Sequence, residues 1–181
     1  MEFRGQDQRC FFGLVRDTQG IPQILGTGRD RALLDRVRAI APGRIEVHSL
    51  EDEVAIGDWA RSQTNGEGAD IVIDALGPGA PQESWLAALD GLRRGGRHVN
   101  IGAVAGHIPV HMHEVMDNDK AIFGSAWFTT ADGQEMADLA EAGMVDLSVF
   151  EHEVFKLDEI NTALNVLKNR NGGFSNYVIV P

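Results

Sequence analysis

Gly68-Ala69-Asp70-Ile71-Val72-Ile73-Asp74-Ala75-Leu76-Gly77 is the stretch that decides how this chain folds. At its centre is a short unbroken apolar run bounded by two acids and followed by glycine. A run without polar-apolar alternation suits a strand covered on both faces, as strands of parallel sheets are. Glycine just past such a strand lets the backbone turn sharply, or lie against a ligand, at the strand's carboxyl end.

Upstream of this stretch the pattern is regular. Residues 21–27 form a short apolar run. A helix follows, with Leu33, Leu34, Val37 and Ile40 spaced for one buried face, and it stops at Pro42-Gly43. Residues 44–50 alternate like a strand, with Ile45 and Val47 on one side. Ser49 stands three before Asp52, the spacing of a capping box, ahead of a helix with Ile56, Trp59 and Ala60 that ends at Asn65-Gly66. Downstream, Pro81 opens a helix carrying Trp85, Leu86, Leu89 and Leu92, closed by Gly95-Gly96. Strands are expected at 97–102, 120–126 and 176–180, and helices at 131–142 and 157–169. Alternating strands and helices with short connections predict an α/β fold, a doubly wound parallel sheet with helices on both faces. Ligands bind such sheets at the carboxyl ends of the strands. The loops to weigh are therefore 27–30, 75–80, 101–107 and 124–130.

Composition narrows the function classes. The chain has 181 residues, 43% hydrophobic and 24% charged, as a soluble globular protein has. A formal charge of -11 repels nucleic acid and anionic membranes, so neither is an expected partner. One cysteine, Cys10, forms no internal disulfide and no Cys-based structural zinc site. No apolar run is long enough to span a bilayer and no signal peptide is visible, so a cytoplasmic protein is expected. Within the acidic whole, Arg29, Arg31, Arg36, Arg38 and Arg44 stand against Asp30 and Asp35. Such a local basic patch reads as a site for a small anion or as a solvated helix face.

The loops carry the candidate chemistry. Gly26-Thr27-Gly28-Arg29-Asp30-Arg31 resembles a glycine-rich phosphate loop, but Arg31 stands where its third glycine belongs. It reads better as the end of the second strand of a dinucleotide fold, where an acid would bind the ribose hydroxyls of NAD. Gly28 offers no carboxylate, and Arg29 beside it suits a 2'-phosphate through charge-assisted hydrogen bonds. This favours NADP over NAD. Ala75-Leu76-Gly77-Pro78-Gly79 is either a bare backbone wall for a cofactor or an ordinary turn into a helix. Asn100-Ile101-Gly102-Ala103 and Ile122-Phe123-Gly124-Ser125 close two more strands. His107, His111 and His113 lack a nearby cysteine and read as loop histidines rather than zinc ligands. There is no P-loop and no assignable Ser-His-Asp set.

Several of these segments resemble medium-chain dehydrogenases/reductases, the zinc-type alcohol dehydrogenase superfamily. Residues 68–77 resemble its strand "G-[AV]-D-x-V-[IF]-[DE]-x-x-G". Leu92-Arg93-Arg94-Gly95-Gly96-Arg97 with Val99-Asn100-Ile101-Gly102 is similar to "L-x-x-G-G-x-x-V-x-x-G". Ile122-Phe123-Gly124-Ser125 resembles a late strand of that fold. Phe155-Lys156-Leu157-Asp158-Glu159-Ile160-Asn161 with Ala163 resembles its "F-x-L-x-x-[IV]-x-x-A" helix. The order and spacing hold over about residues 23–181. The resemblance implies the C-terminal, NAD(P)-binding Rossmann domain of such an enzyme, with hydride transfer on a small alcohol or carbonyl. It implies Thr27, Gly28 and Arg29 at the adenosine ribose and Ala75, Leu76 and Gly77 along the cofactor. Asn100, Ile101, Gly102, Ala103, Phe123 and Gly124 would lie near the nicotinamide. It also implies a homodimer through the edge strand near 120–126.

The departures are equally informative. Members of the superfamily are roughly twice as long, and their amino-terminal barrel carries the catalytic zinc ligands. The expected zinc for this chain is therefore none, and the expected catalytic residues are none. The first strand and glycine-rich loop should precede residue 21, where Arg9-Cys10-Phe11-Phe12-Gly13-Leu14-Val15-Arg16-Asp17-Thr18 stands instead. That strand and loop are degenerate or missing, so residues 1–20 are set apart as a divergent segment and 21–181 as the domain. Either Phe11 to Val15 rebuilds the central strand or a partner covers the gap. The chain is expected to be inactive alone, and either to be completed by a separate catalytic-domain chain or to be a non-catalytic remnant serving as a dimerisation or binding module. A methyltransferase would need the same missing loop.

Overall fold

The computed structural model describes residues 11–16, 22–167 and 174–181, the first of these by its backbone. Residues 1–10 and 17–20 of the divergent segment, and 168–169 at the end of the expected last helix, lie outside the described residues. The chain divides into two compact units, one running to Ser125 and the other beginning at Ala126.

The first unit is built on a six-stranded sheet. Its strands are β1 (Phe11–Arg16), β2 (Pro22–Gly28), β3 (Ile45–Ser49), β4 (Ala69–Asp74), β5 (Leu92–Asn100) and β6 (Ala121–Gly124). Their spatial order is β3-β2-β1-β4-β5-β6, the doubly wound order in which the strand sequence reverses direction between β1 and β4. The parallel α/β sheet is therefore present, and its central position is filled. The filling strand, however, runs backwards: β1 pairs antiparallel with both β2 and β4. Chain length dictates that direction. Only residues 17–21 separate β1 from β2, enough for a hairpin, whereas a parallel crossover needs a dozen residues or more.

Four helices complete this unit: α1 (Arg31–Ile40), α2 (Ile56–Gln63), α3 (Gln82–Asp90) and the short α4 (Met112–Asp117). α1 buries Leu33, Leu34 and Val37, while Ile40, expected on the same face, is half exposed in the last turn. Gly26 of β2 lies close to Val37 of α1 and Val47 of β3. α3 ends at Asp90 rather than at Gly95-Gly96, because Gly91 caps it and hands its carbonyl to the Ala69 amide. Leu92 thereby begins β5 instead of ending a helix. α2 and α3 pack on each other and roof a core of Leu25, Ala60, Val72, Trp85, Ala88 and Leu89. Between Leu25 and Val72 the register places Gly13 of β1. An apolar pocket lies here, lined by Leu25, Thr27, Trp59, Ala60 and Val72 among others.

The second unit contains α5 (Thr130–Glu141), β7 (Glu151–Lys156), a 3₁₀ turn at Leu157–Glu159, α6 (Ile160–Leu167) and β8 (Ser175–Val180). Thr129 and Asp132 form a reciprocal capping box at the start of α5. β7 and β8 pair in parallel, as a strand-helix-strand connection requires, with Phe155, Ala163 and Phe174 buried. Among the described residues, no helix is long and apolar enough to cross a membrane.

Candidate functional site: the carboxyl rim of the sheet

The parallel strands of the first unit end along one rim. Gly28 of β2 pairs with Ser49 of β3, and Asp74 of β4, Asn100 of β5 and Gly124 of β6 stand in register with one another. Phe12 of β1 bridges Gly26 to Ile73, so the two halves of the sheet end at the same level on either side of the reversed strand. The loops that begin with Arg29, Ala75, Ile101 and Ser125 thus leave from one edge.

On the β4–β5 side the loops are locked backbone to backbone. The carbonyl of Asp74 accepts from the amides of Ile101 (2.9 Å) and Gly102 (2.8 Å), and Leu76 carbonyl accepts from Ala103 N at 2.7 Å. Ser125 N donates to Asn100 carbonyl at 3.0 Å, which ties in the end of β6. Gly102 is required by contact: a Cβ there would lie 2.7 Å from Leu76 N and closer still to its carbonyl oxygen. Trp85 on α3 fastens the layer from beneath, its indole N–H donating to Asn100 Oδ1 at 2.9 Å while Asn100 Nδ2 donates to Gly102 carbonyl at 3.2 Å.

Two buried titratable groups sit under this half. Asp74 is fully buried. Its Oδ1 accepts from Leu76 N at 2.8 Å, and its Oδ2 has no hydrogen-bond partner. Burial pushes its pKa above the usual carboxylate range, against the pull of the Leu76 amide. His98, also fully buried, packs against Trp85 with ring centroids 4.2 Å apart and the rings tilted by 43°, and neither ring nitrogen has a partner. Burial lowers its pKa to about 4, so the ring is neutral at pH 7.

On the β2–β3 side the rim is held by charge. Asp30 caps α1, accepting from Leu33 N at 3.0 Å. Asp52 ties the loop after β3: it takes the Arg31 guanidinium, accepts from Ser49 N at 3.2 Å, and stands 3.4 Å from His48 Nδ1. The Arg31 hydrogen bond holds the Asp52 carboxyl below its usual range. His48 stacks on Trp59, and its Nε2 lies 2.8 Å from Val54 carbonyl. The Ser49–Asp52 pair is not the start of a helix. It closes a turn, and α2 begins only at Ile56.

The expected site residues divide accordingly. Gly28, Arg29, Ala75, Gly77, Asn100, Ile101, Gly102, Ala103 and Gly124 end strands or follow them along the rim. Thr27 and Leu76 are buried beneath it, Thr27 lining the apolar pocket with an unpartnered hydroxyl. Phe123 is half exposed on the edge strand. Asp52 and Trp85, expected only in a capping box and on a helix face, organise the rim. The Ser-to-Asp spacing at a strand end was the available signal for the first, and an indole one helix before an Asn was a weak one for the second. Among the described residues no cluster of three His, Cys, Asp or Glu side chains exists that would hold a metal ion. His111 caps α4, and His113 lies 3.2 Å from Asp117.

Residues 20–142 match the model of the zinc-binding dehydrogenases. The chain belongs to that family. Several proteins of known structure share its fold at low identity. An alcohol dehydrogenase from the hyperthermophilic archaeon Aeropyrum pernix superposes with TM-score 0.68 at 22% identity, over 87% of this chain and 42% of that one. Alcohol dehydrogenase TADH from Thermus sp. ATN1 gives 0.69 at 20% identity, over 85% and 43%. A quinone oxidoreductase from Pseudomonas syringae pv. tomato gives 0.62 at 18% identity, over 87% and 48%. The chain therefore spans less than half the length of these proteins. No curated protein matches its sequence.

Proposed function

We propose that this chain is the nucleotide-binding portion of an alcohol dehydrogenase-like oxidoreductase, with the carboxyl rim of its sheet facing a nicotinamide dinucleotide. The observation that supports this most directly is the common rim itself: Arg29, Gly77 and Gly102 each follow the end of a parallel strand of one doubly wound sheet, on the two sides of the point where strand order reverses. Crevices at that point are where such sheets take nucleotides. When bound, the nicotinamide accepts or donates the hydride. The residues of this chain supply position. Gly102 keeps the loops after β4 and β5 in contact, so that a flat ring meets bare backbone there. Arg29, beside a residue with no carboxylate, favours the 2'-phosphate of NADP over the plain ribose of NAD.

In this reading residues 21–181 serve as the dinucleotide-binding domain, and Phe11–Arg16 supplies the central strand. The substrate is positioned by a catalytic domain outside these residues, which also carries the metal. The edge strand β6, with Ile122 and Phe123 partly exposed, is the surface for a homodimer, and the protein works in the cytoplasm. Titration of NADPH fluorescence with the purified chain tests the reading. Saturation at micromolar to submillimolar NADPH, weaker for NADH, is the expected result. Absence of saturable binding below millimolar ends it.

A further inference from the structure

We propose that the apolar pocket between the sheet and helices α2 and α3 binds a short aliphatic molecule with one polar head, held by the hydroxyl of Thr27. The pocket lies below the rim, and the proposal does not depend on the dinucleotide reading.

The walls of the pocket come from β2, β4, α2 and α3, all within the first unit. Leu25 and Thr27 stand two apart on β2 and so share one face of the strand. Val72 of β4 belongs to the same core as Leu25. On the other side the helices approach each other through small residues: a Cβ on Gly91 would sit 3.4 Å from Gly57 Cα and 3.6 Å from Ala60 Cβ. Ala60, Ala88 and Gly91 do not fill the distance to the strands, and a cavity of about 30 Å³ is left. One water-sized group takes about 10–15 Å³, so the cavity suits a molecule of a few non-hydrogen atoms. Of the described lining residues only Ile56 and Trp59 are partly exposed, which puts the entrance beside the start of α2.

Small residues alone would make a packing void. Thr27 adds the chemistry of a site. It is 3% exposed, it lines the pocket, and its Oγ1 has no hydrogen-bond partner. The main chain at the pocket's edge is already paired, Gly91 carbonyl with Ala69 N at 2.9 Å and Gly91 N with Ala87 carbonyl at 3.1 Å. Valine has the same shape as threonine and leaves no polar atom unmet. A buried threonine without a partner is therefore destabilising unless a ligand meets its hydroxyl. Water is a poor occupant, because it needs about two to four polar partners. An alcohol or carbonyl compound of two or three carbons needs one partner for its head, and its carbons gain from the aliphatic walls.

Methyl-detected NMR of the full chain titrated with 1-propanol tests this. The methyl signals of Ala60, Val72 and Ala88 should move together and saturate, with half-saturation on the order of 10 mM. Thr27→Val should weaken 1-propanol about fivefold. Xenon, which enters apolar cavities without a hydrogen bond, should shift the same methyls in both chains, and its shifts in the variant show that fold and pocket persist. In the parent chain, affinity should rise from methanol to 1-propanol and fall at 1-hexanol. Three results each overturn the proposal: no saturable shift of these methyls with 1-propanol, an affinity unchanged by Thr27→Val, or a steady rise to 1-hexanol, which marks partition onto the surface. Should the variant fail to fold, the chain-length series in the parent decides.

Discussion

The two halves of the sheet on either side of the reversed strand are held at the rim by different forces. Beyond β4 and β5 the loops interlock through main-chain hydrogen bonds to Asp74 and Leu76, over a buried layer of Trp85, His98 and Asp74. Beyond β2 and β3 a single main-chain bond, from Leu50 N to the Gly28 carbonyl, is supplemented by exposed charges, with Asp52 between Arg31 and Ser49 N, and Asp30 at the head of α1. A backbone lock depends on close approach and tolerates no added volume. A charge-held rim tolerates side-chain change but responds to salt and pH. The first kind suits a surface that must present fixed geometry to a ring, the second a surface that meets a charged group.

Substitution of Gly102 should break the first half most severely. Alanine there drives its Cβ into the Leu76 backbone, which cannot yield as a flexible side chain would. The expected loss is about 3 kcal/mol of stability, read as a fall in the urea midpoint. A loss below about 1 kcal/mol would mean the two loops separate easily and the interlock is not rigid.

The buried layer gives the next largest effect, through pH. Burial holds His98 at about 4, against 6.5 in the unfolded chain. Between those values the unfolded chain binds a proton that the folded chain refuses, so stability falls as pH drops through this window. From pH 7 to pH 5 the loss from His98 is about 2 kcal/mol. His98→Phe should flatten the urea midpoint over this range relative to the parent. An unchanged slope in the variant would place the pH dependence elsewhere. Asp74 acts with the opposite sign: its raised pKa costs stability as pH rises through the folded value.

Trp85→Phe keeps most of the apolar contact and removes one donor. The expected change is about 1 kcal/mol from the lost hydrogen bond to Asn100. The Asn100 side-chain amide signals should also move in a nitrogen-proton NMR spectrum. If stability falls but those signals stay, Trp85 is a packing residue and not the anchor of the loop.

The difference between the halves also explains what could be read from sequence. The run 69–76 announced a buried parallel strand because it is apolar without alternation and ends in glycine, and the loops it implied do share a rim. The direction of β1 could not be read from its own residues, since a strand's pattern carries no arrow. It was implicit in the short interval between Arg16 and Pro22, a length that only a hairpin fits. The end of α3 was misplaced because Gly95-Gly96 looks like a helix stop, whereas Gly91 already caps the helix and the later glycines fall within β5. The charged rim was half visible. Ser49 and Asp52 were seen as a pair, but their spacing fits a closed turn as well as a helix cap, and only Arg31 approaching from α1 distinguishes the two. The contact of Gly102 with Leu76 depends on how the strands align, which no local pattern encodes.

The smallest effect expected is the most specific to the second half. Arg31 and Asp52 are both exposed enough that their pairing adds little to stability, so Arg31→Ala should leave the urea midpoint nearly unchanged. It should nevertheless release the Asp52 carboxyl, which the guanidinium holds below its usual range. Carbon-detected NMR of the Asp52 side chain through an acid titration reads this directly, with the midpoint moving upward in the variant. The shift should shrink in the parent chain at about 1 M salt, where screening is effective over a few ångströms. Should the midpoint stay low without Arg31, the Ser49 amide would be the dominant partner. The rim beside Gly28 would then be held by its backbone, like the half beyond β4, and the contrast between the two halves would disappear.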